Sequence, residues 1–119
     1  MNLKMNTRSI DETTSVIKLE GEVDVYTAPQ LKQQIINMLD NNIIHIIVDL
    51  TDVEYLDSTA LGVLIGGLKR LRERDGSLDL VCPNPRIRRI FEITGLDRIF
   101  DIHQSGDDAL NADKVKEGQ

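Results

Sequence analysis

The stretch YLDSTALG, Tyr55 to Gly62, sets a serine directly after an aspartate and before a threonine. The Ser58 hydroxyl has four uses open to it: a helix cap, a nucleophile, a phosphate-binding group or a phosphorylation site. Nucleophilic catalysis needs a base to take the hydroxyl proton. No G-x-S-x-G elbow surrounds Ser58, and no histidine presents itself as its base. There is no GxxxxGK[ST] run to cradle a nucleotide phosphate. Glu20, Glu22 and Asp24 alternate in EGEVD, the pattern of a solvated strand face and only a weak signal of catalysis. As an N-cap, Ser58 contributes about 1 kcal/mol to helix stability. The same position suits a modification. A phosphate on Ser58 faces open backbone N–H groups and the positive end of a helix dipole, so the domain can carry it without unfolding. It adds about −1.5 to −2 charges beside Asp57, and beside Asp24 if the EVDVY loop lies at the same end.

The elements that must position these groups are legible from hydrophobic period. Leu3–Ile10 and Ser15–Val23 alternate as two strands of a hairpin, with Gly21 marking a bulge. Thr27-Ala28-Pro29-Gln30 reads as a capping box, with Thr27 at the N-cap and Gln30 three residues on. Leu31, Ile35, Met38 and Leu39 continue it as one face of a helix that ends at Asp40-Asn41-Asn42. Ile43–Leu50, almost wholly apolar, reads as a central strand covered on both faces. A second helix from Thr59 to Asp75 carries Leu61, Leu64, Ile65, Leu68 and Leu71 on its core stripe and stops at Gly76. Leu78–Cys82 is a short strand. Asn84-Pro85 caps a third helix with Ile87, Ile90 and Phe91 inward, stopped by Gly95. Ile99–Ile102 reads as a last strand and Asp107–Ala112 as a weak helix. Residues 1–113 form the expected domain and residues 114–119 a polar tail. The fold class is α/β: a single domain with a mixed sheet of four to five strands and helices packed on it.

On the second helix Ser58, Gly62, Gly66 and Lys69 fall within roughly 80° of one another, beside the core stripe. Two readings of that bare stripe stand: it admits another backbone, or it lets the helix pack closely on its own sheet.

Composition excludes several classes. The chain has 119 residues, 40% hydrophobic, 3% aromatic and without tryptophan, so one core of Ile, Leu and Val is expected. A net charge of −6 disfavours nucleic acid and anionic membranes, both of which need a basic surface. The single cysteine, Cys82, allows no internal disulfide and reads as a packed thiol. No signal-peptide h-region and no apolar run of about 20 residues is present, so a soluble, cytoplasmic protein is expected. His45 and His103 are not paired in any metal-ligand spacing, and Arg86, Arg88 and Arg89 read as the solvated face of a helix.

Three segments in order, GEVDVYTAP, VDLTDVEYLDSTALGVL and IFEITGLDRIF, resemble the STAS domain of bacterial anti-sigma factor antagonists. The resemblance spans the chain from the first hairpin to about Ile102. It implies a regulator rather than an enzyme, with no cofactor. Unphosphorylated, such a protein binds an anti-sigma factor that is also a serine/threonine kinase with a GHKL-type ATPase fold, and frees the sigma factor. The kinase phosphorylates the serine of the D-S motif and the complex is lost. A metal-dependent PP2C-type phosphatase resets the switch. Carried onto this sequence, the acceptor is Ser58, with Thr59 as the minor candidate. Asp57 and Asp24 are the family's two acids, and Asp24, Asp57, Ser58, Thr59, Gly62 and Gly66 form the expected partner surface. Ala60 stands where many relatives carry glycine, which stiffens the first helical turn. The alternative within the family is a scaffold subunit of a signalling assembly or transporter complex. A receiver domain phosphorylated on Asp57 is disfavoured, because a receiver opens with β-α alternation and this chain opens with a hairpin.

Overall fold

The structure, a computed structural model, describes the backbone of residues 2–117 and the side chains of residues 2–112. The elements run β1 (Leu3–Ser9), β2 (Thr14–Val23), α1 (Ala28–Asp40), β3 (His45–Leu56), α2 (Ser58–Arg72), β4 (Ser77–Val81), α3 (Pro85–Thr94), a 3-10 turn (Leu96–Arg98), β5 (Ile102–His103) and α4 (Gly106–Glu117). The strands form one five-stranded sheet in sequence order. β1 pairs antiparallel with β2, and the β2–β3, β3–β4 and β4–β5 pairs are parallel, so the sheet is mixed as expected.

Alternation along the strands divides the core. Ile17, Leu19, Ile46, Val48, Leu50, Leu78 and Leu80 cluster with the apolar faces of α1, α2 and α3. Val16, Ile47 and Val81 form a smaller cluster with Ala109 and Leu110 of α4, on the opposite face. Phe91 of α3 meets Phe100 edge-to-face at 6.0 Å, which pins the chain ahead of β5. The last strand is therefore shorter and later than the expected Ile99–Ile102: a 3-10 turn occupies residues 96–98. α4 is longer than Asp107–Ala112 and takes in residues 114–117 of the expected tail, while Gly118 and Gln119 lie outside the described residues.

Three local expectations are corrected. β3 does not stop at Leu50 but continues to Leu56, paired with β2 as far as Val23↔Leu56 through two register shifts. Gly21, with φ of +103°, sits at the second of these and is the expected bulge. α2 ends at Arg72, and the left-handed residue beyond it is Asp75 (φ 56°), not Gly76. Gly76 is required for a different reason: a Cβ there would lie 2.0 Å from the Ile44 carbonyl oxygen. Thr27 does not form a capping box, because it is already in helical conformation (φ −101°, ψ −24°) and its hydroxyl is used elsewhere.

Candidate functional site

β2 and β3 end side by side, which brings the Asp24–Thr27 turn to the start of α2. Asp57 joins them. It is extended (φ −108°, ψ −176°) and is the N-cap of α2. One carboxylate oxygen accepts the Ala60 N–H at 3.0 Å, and the other accepts the Val25 N–H at 3.0 Å. This corrects the expected cap: Ser58 is the first residue inside the helix, not the cap, because the longer Asp57 side chain reaches the N–H three residues on. Ser58 and Thr59 are exposed, and among the described residues neither hydroxyl is hydrogen-bonded. Asp57 takes the Ala60 N–H, and the Leu61 N–H bonds the Asp57 carbonyl. Ser58 and Thr59 therefore have the backbone N–H groups left open at the positive end of the helix.

Asp24 holds the turn that leads into α1. Its Oδ1 accepts from the N–H groups of Tyr26 at 2.9 Å and Thr27 at 3.0 Å, and its carbonyl accepts from Ala28 at 2.7 Å. The Thr27 hydroxyl donates to the Glu22 carbonyl at 2.8 Å and accepts the Asp24 N–H at 2.9 Å. Burial pushes the Asp24 carboxyl up, but these hydrogen bonds outweigh it and hold the group below the ordinary carboxylate range. Its contribution to the loop is complete above that range and is lost only as pH falls through the lowered value. Asp24 is 3% exposed, so it shapes the surface through the turn it holds. Its other oxygen, Oδ2, is buried without a hydrogen-bond partner among the described residues.

The turn presents residues that sequence reading passed over. Val25 and Tyr26 are 55% and 76% exposed, and Tyr55, near the end of β3, is 51% exposed. Among the described residues these are three of the six large apolar side chains left exposed, and all three lie within two residues of Asp24 or Asp57. The available signal was their lack of any partner in the hydrophobic period of β2, β3 or α1.

The glycines separate by role. A Cβ on Gly62 or Gly66 would meet nothing within 4 Å, so neither is required by packing inside the chain. Gly67, not singled out from sequence, is the packing glycine: its Cβ would come 3.1 Å from Leu78 Cδ1 and 3.2 Å from Ile35 Cδ1. Gly62 and Gly66 line a groove of about 370 Å³ with Lys32, Thr59, Val63 and Arg70.

The other candidates take up structural places. Cys82 is fully buried, and burial raises its thiol pKa, which suppresses the thiolate. His103 Nε2 lies 3.0 Å from Asp79 Oδ2, and His45 Nδ1 lies 2.9 Å from Ser77 Oγ. Among the described residues no group of three or more His, Cys, Asp or Glu side chains is placed to hold a metal ion.

Asp57→Ala is expected to cost about 1–3 kcal/mol, since it removes a cap and a hydrogen bond between loops. Asp57→Asn keeps one oxygen for Ala60 but turns an amide donor toward Val25. It should lose less stability while the Val25 amide still exchanges faster. Urea unfolding and residue-resolved hydrogen exchange check both.

Residues 4–109 match the family model of the STAS domain. The anti-sigma-B factor antagonist of Staphylococcus aureus is 39% identical over 104 residues, 87% of this chain and 95% of that protein. The anti-sigma-B factor antagonist of Listeria monocytogenes is 40% identical over 102 residues, 86% of this chain and 90% of that protein. The crystal structure of an anti-sigma factor antagonist from Mycobacterium paratuberculosis has the same fold, with a TM-score of 0.85 and 32% identity over 93% of each chain.

Proposed function

The chain belongs to the STAS domain family, and from that premise we propose that it is an anti-sigma factor antagonist switched at Ser58. It acts by binding rather than by catalysis. In the unphosphorylated state it docks on an anti-sigma factor, a serine/threonine kinase of GHKL type, and the sigma factor is released. The kinase then transfers the γ-phosphoryl group of ATP to the Ser58 hydroxyl, and the complex dissociates. A PP2C-type phosphatase hydrolyses the phosphoserine and restores the antagonist. Thr59 is the minor acceptor. The docking surface comprises the turn held by Asp24 and Asp57, the hydroxyls of Ser58 and Thr59, and the helix face at Gly62 and Gly66. The protein works in the cytoplasm; no described helix is long and apolar enough to cross a membrane.

One observation carries this reading. Ser58 stands exposed and unbonded at the positive end of α2, while Asp57 has taken over the cap. A phosphate there meets two open N–H groups and breaks no native contact, so its effect falls on the partner. The exposed Val25, Tyr26 and Tyr55 supply the apolar area that a docking partner would bury.

Reconstitution tests it. Added to a preformed complex of anti-sigma factor and sigma factor, the unphosphorylated chain should displace the sigma factor stoichiometrically. The phosphorylated chain should leave the complex intact. Failure of the unphosphorylated chain to displace it would overturn the assignment.

A further inference from the structure

We propose that the open edge of β1 is a second docking site, which takes an extended acidic segment of a partner protein as a sixth strand. Hydrogen bonds fix which backbone groups are available. The Glu22 N–H bonds the Asn2 carbonyl at 3.0 Å and the Ile10 N–H bonds the Thr14 carbonyl at 2.9 Å, at the two ends of the β1–β2 ladder. With the register Lys4↔Glu20, Asn6↔Lys18 and Arg8↔Val16, residues 4, 6 and 8 turn their N–H and C=O toward β2. Leu3, Met5 and Thr7 turn theirs outward, and among the described residues no strand lies beyond them.

The side chains say what kind of strand fits. Lys4 and Arg8 are exposed, lie on the same face as Val16, and have no ion-pair partner among the described residues. On that face a groove of about 490 Å³ runs between Arg8, Val16, Lys18 and Asp49. On the other face Leu3 and Met5 are half-buried against the main core, with their outer sides open. An incoming strand with acids on one face and apolar residues on the other satisfies both. The acids oppose Lys4 and Arg8, and the apolar residues extend the core beyond Met5. A second copy of this chain fits poorly. Antiparallel pairing of β1 with itself brings the Lys4 and Arg8 side chains of both copies together on one face, where like charges repel. The site lies on the sheet edge and does not depend on the switch at Ser58.

The test uses an isotope-labelled chain and a synthetic strand peptide of alternating Glu and Val. The peptide is expected to slow hydrogen exchange at the Leu3, Met5 and Thr7 amides, and to do so equally in Ser58→Asp. Lys4→Glu with Arg8→Glu should weaken binding by about tenfold or more. Thr7→Pro removes an outward N–H without touching the ladder to β2, and should weaken it too. Unchanged exchange at a saturating peptide concentration would overturn the proposal. Equal binding of a Lys/Val peptide would also overturn it, as would protection of the same amides by self-association without peptide.

Discussion

Ser58→Asp is expected to bind the anti-sigma partner more than about a hundredfold more weakly than wild type, because an unpaired charge pressed against a docking surface costs several kcal/mol. The variant should nevertheless be as stable as wild type, or more stable by about 0.3–1 kcal/mol, since an anion at a helix N-terminus is favourable. Ser58→Ala should bind within a factor of a few of wild type and resist inactivation by ATP. Its stability should change by no more than about 0.5 kcal/mol, because Asp57 caps the helix and the Ser58 hydroxyl bonds nothing among the described residues. Calorimetric titration and urea unfolding of the two variants separate binding from folding. A weakened Ser58→Asp that had also lost its fold would not count as a switch.

The second large effect is expected at the glycines of α2. Gly62→Ala with Gly66→Ala should stabilise the chain by about 1–2 kcal/mol, because each replaces a poor helix former and neither new Cβ meets an atom. The same variant should bind the partner at least about tenfold more weakly, if the bare helix face is where the two backbones approach. Gly67→Ala should leave affinity unchanged, because its Cβ faces Leu78 and Ile35 inside the chain rather than the docking face. An affinity loss in the double variant but not in Gly67→Ala would assign the two roles. Unchanged affinity in the double variant would remove Gly62 and Gly66 from the docking face.

What the sequence revealed depended on whether a signal was local and periodic. α1, α3 and the core stripe of α2 follow from apolar spacing, and Gly95 ends α3 in left-handed conformation (φ 76°) as its type suggests. The continuation of β3 through Thr51–Leu56 was hidden. Val53 and Leu56 are buried three residues apart between exposed Thr51, Asp52, Glu54 and Tyr55, so the two-residue alternation of a strand is lost there, and the strand persists because β2 pairs with it through two register shifts. The cap assignments failed for a related reason. Asp57 takes the Ala60 N–H ahead of Ser58, and the Thr27 hydroxyl is drawn back to the Glu22 carbonyl and the Asp24 N–H, away from α1; only the geometry of the two turns decides this. That Asp57 also reaches Val25, 32 positions earlier in the chain, is a tertiary contact no local pattern encodes. The proposed acceptor, Ser58, stands out in the sequence because it sits in a motif. The exposure of Val25, Tyr26 and Tyr55 was not legible, because Val25 and Tyr26 lie in a turn and Tyr55 falls where the alternation of β3 is lost.

The proposed switch at Ser58 can be read by intact-mass spectrometry. Wild type, Ser58→Ala and Thr59→Ala are each incubated with ATP and the anti-sigma kinase, whose activity is verified on a separate substrate. A switch at Ser58 requires one added phosphate on wild type and on Thr59→Ala, and at most a trace on Ser58→Ala. Stoichiometric phosphate on Ser58→Ala, or none on wild type, would contradict it.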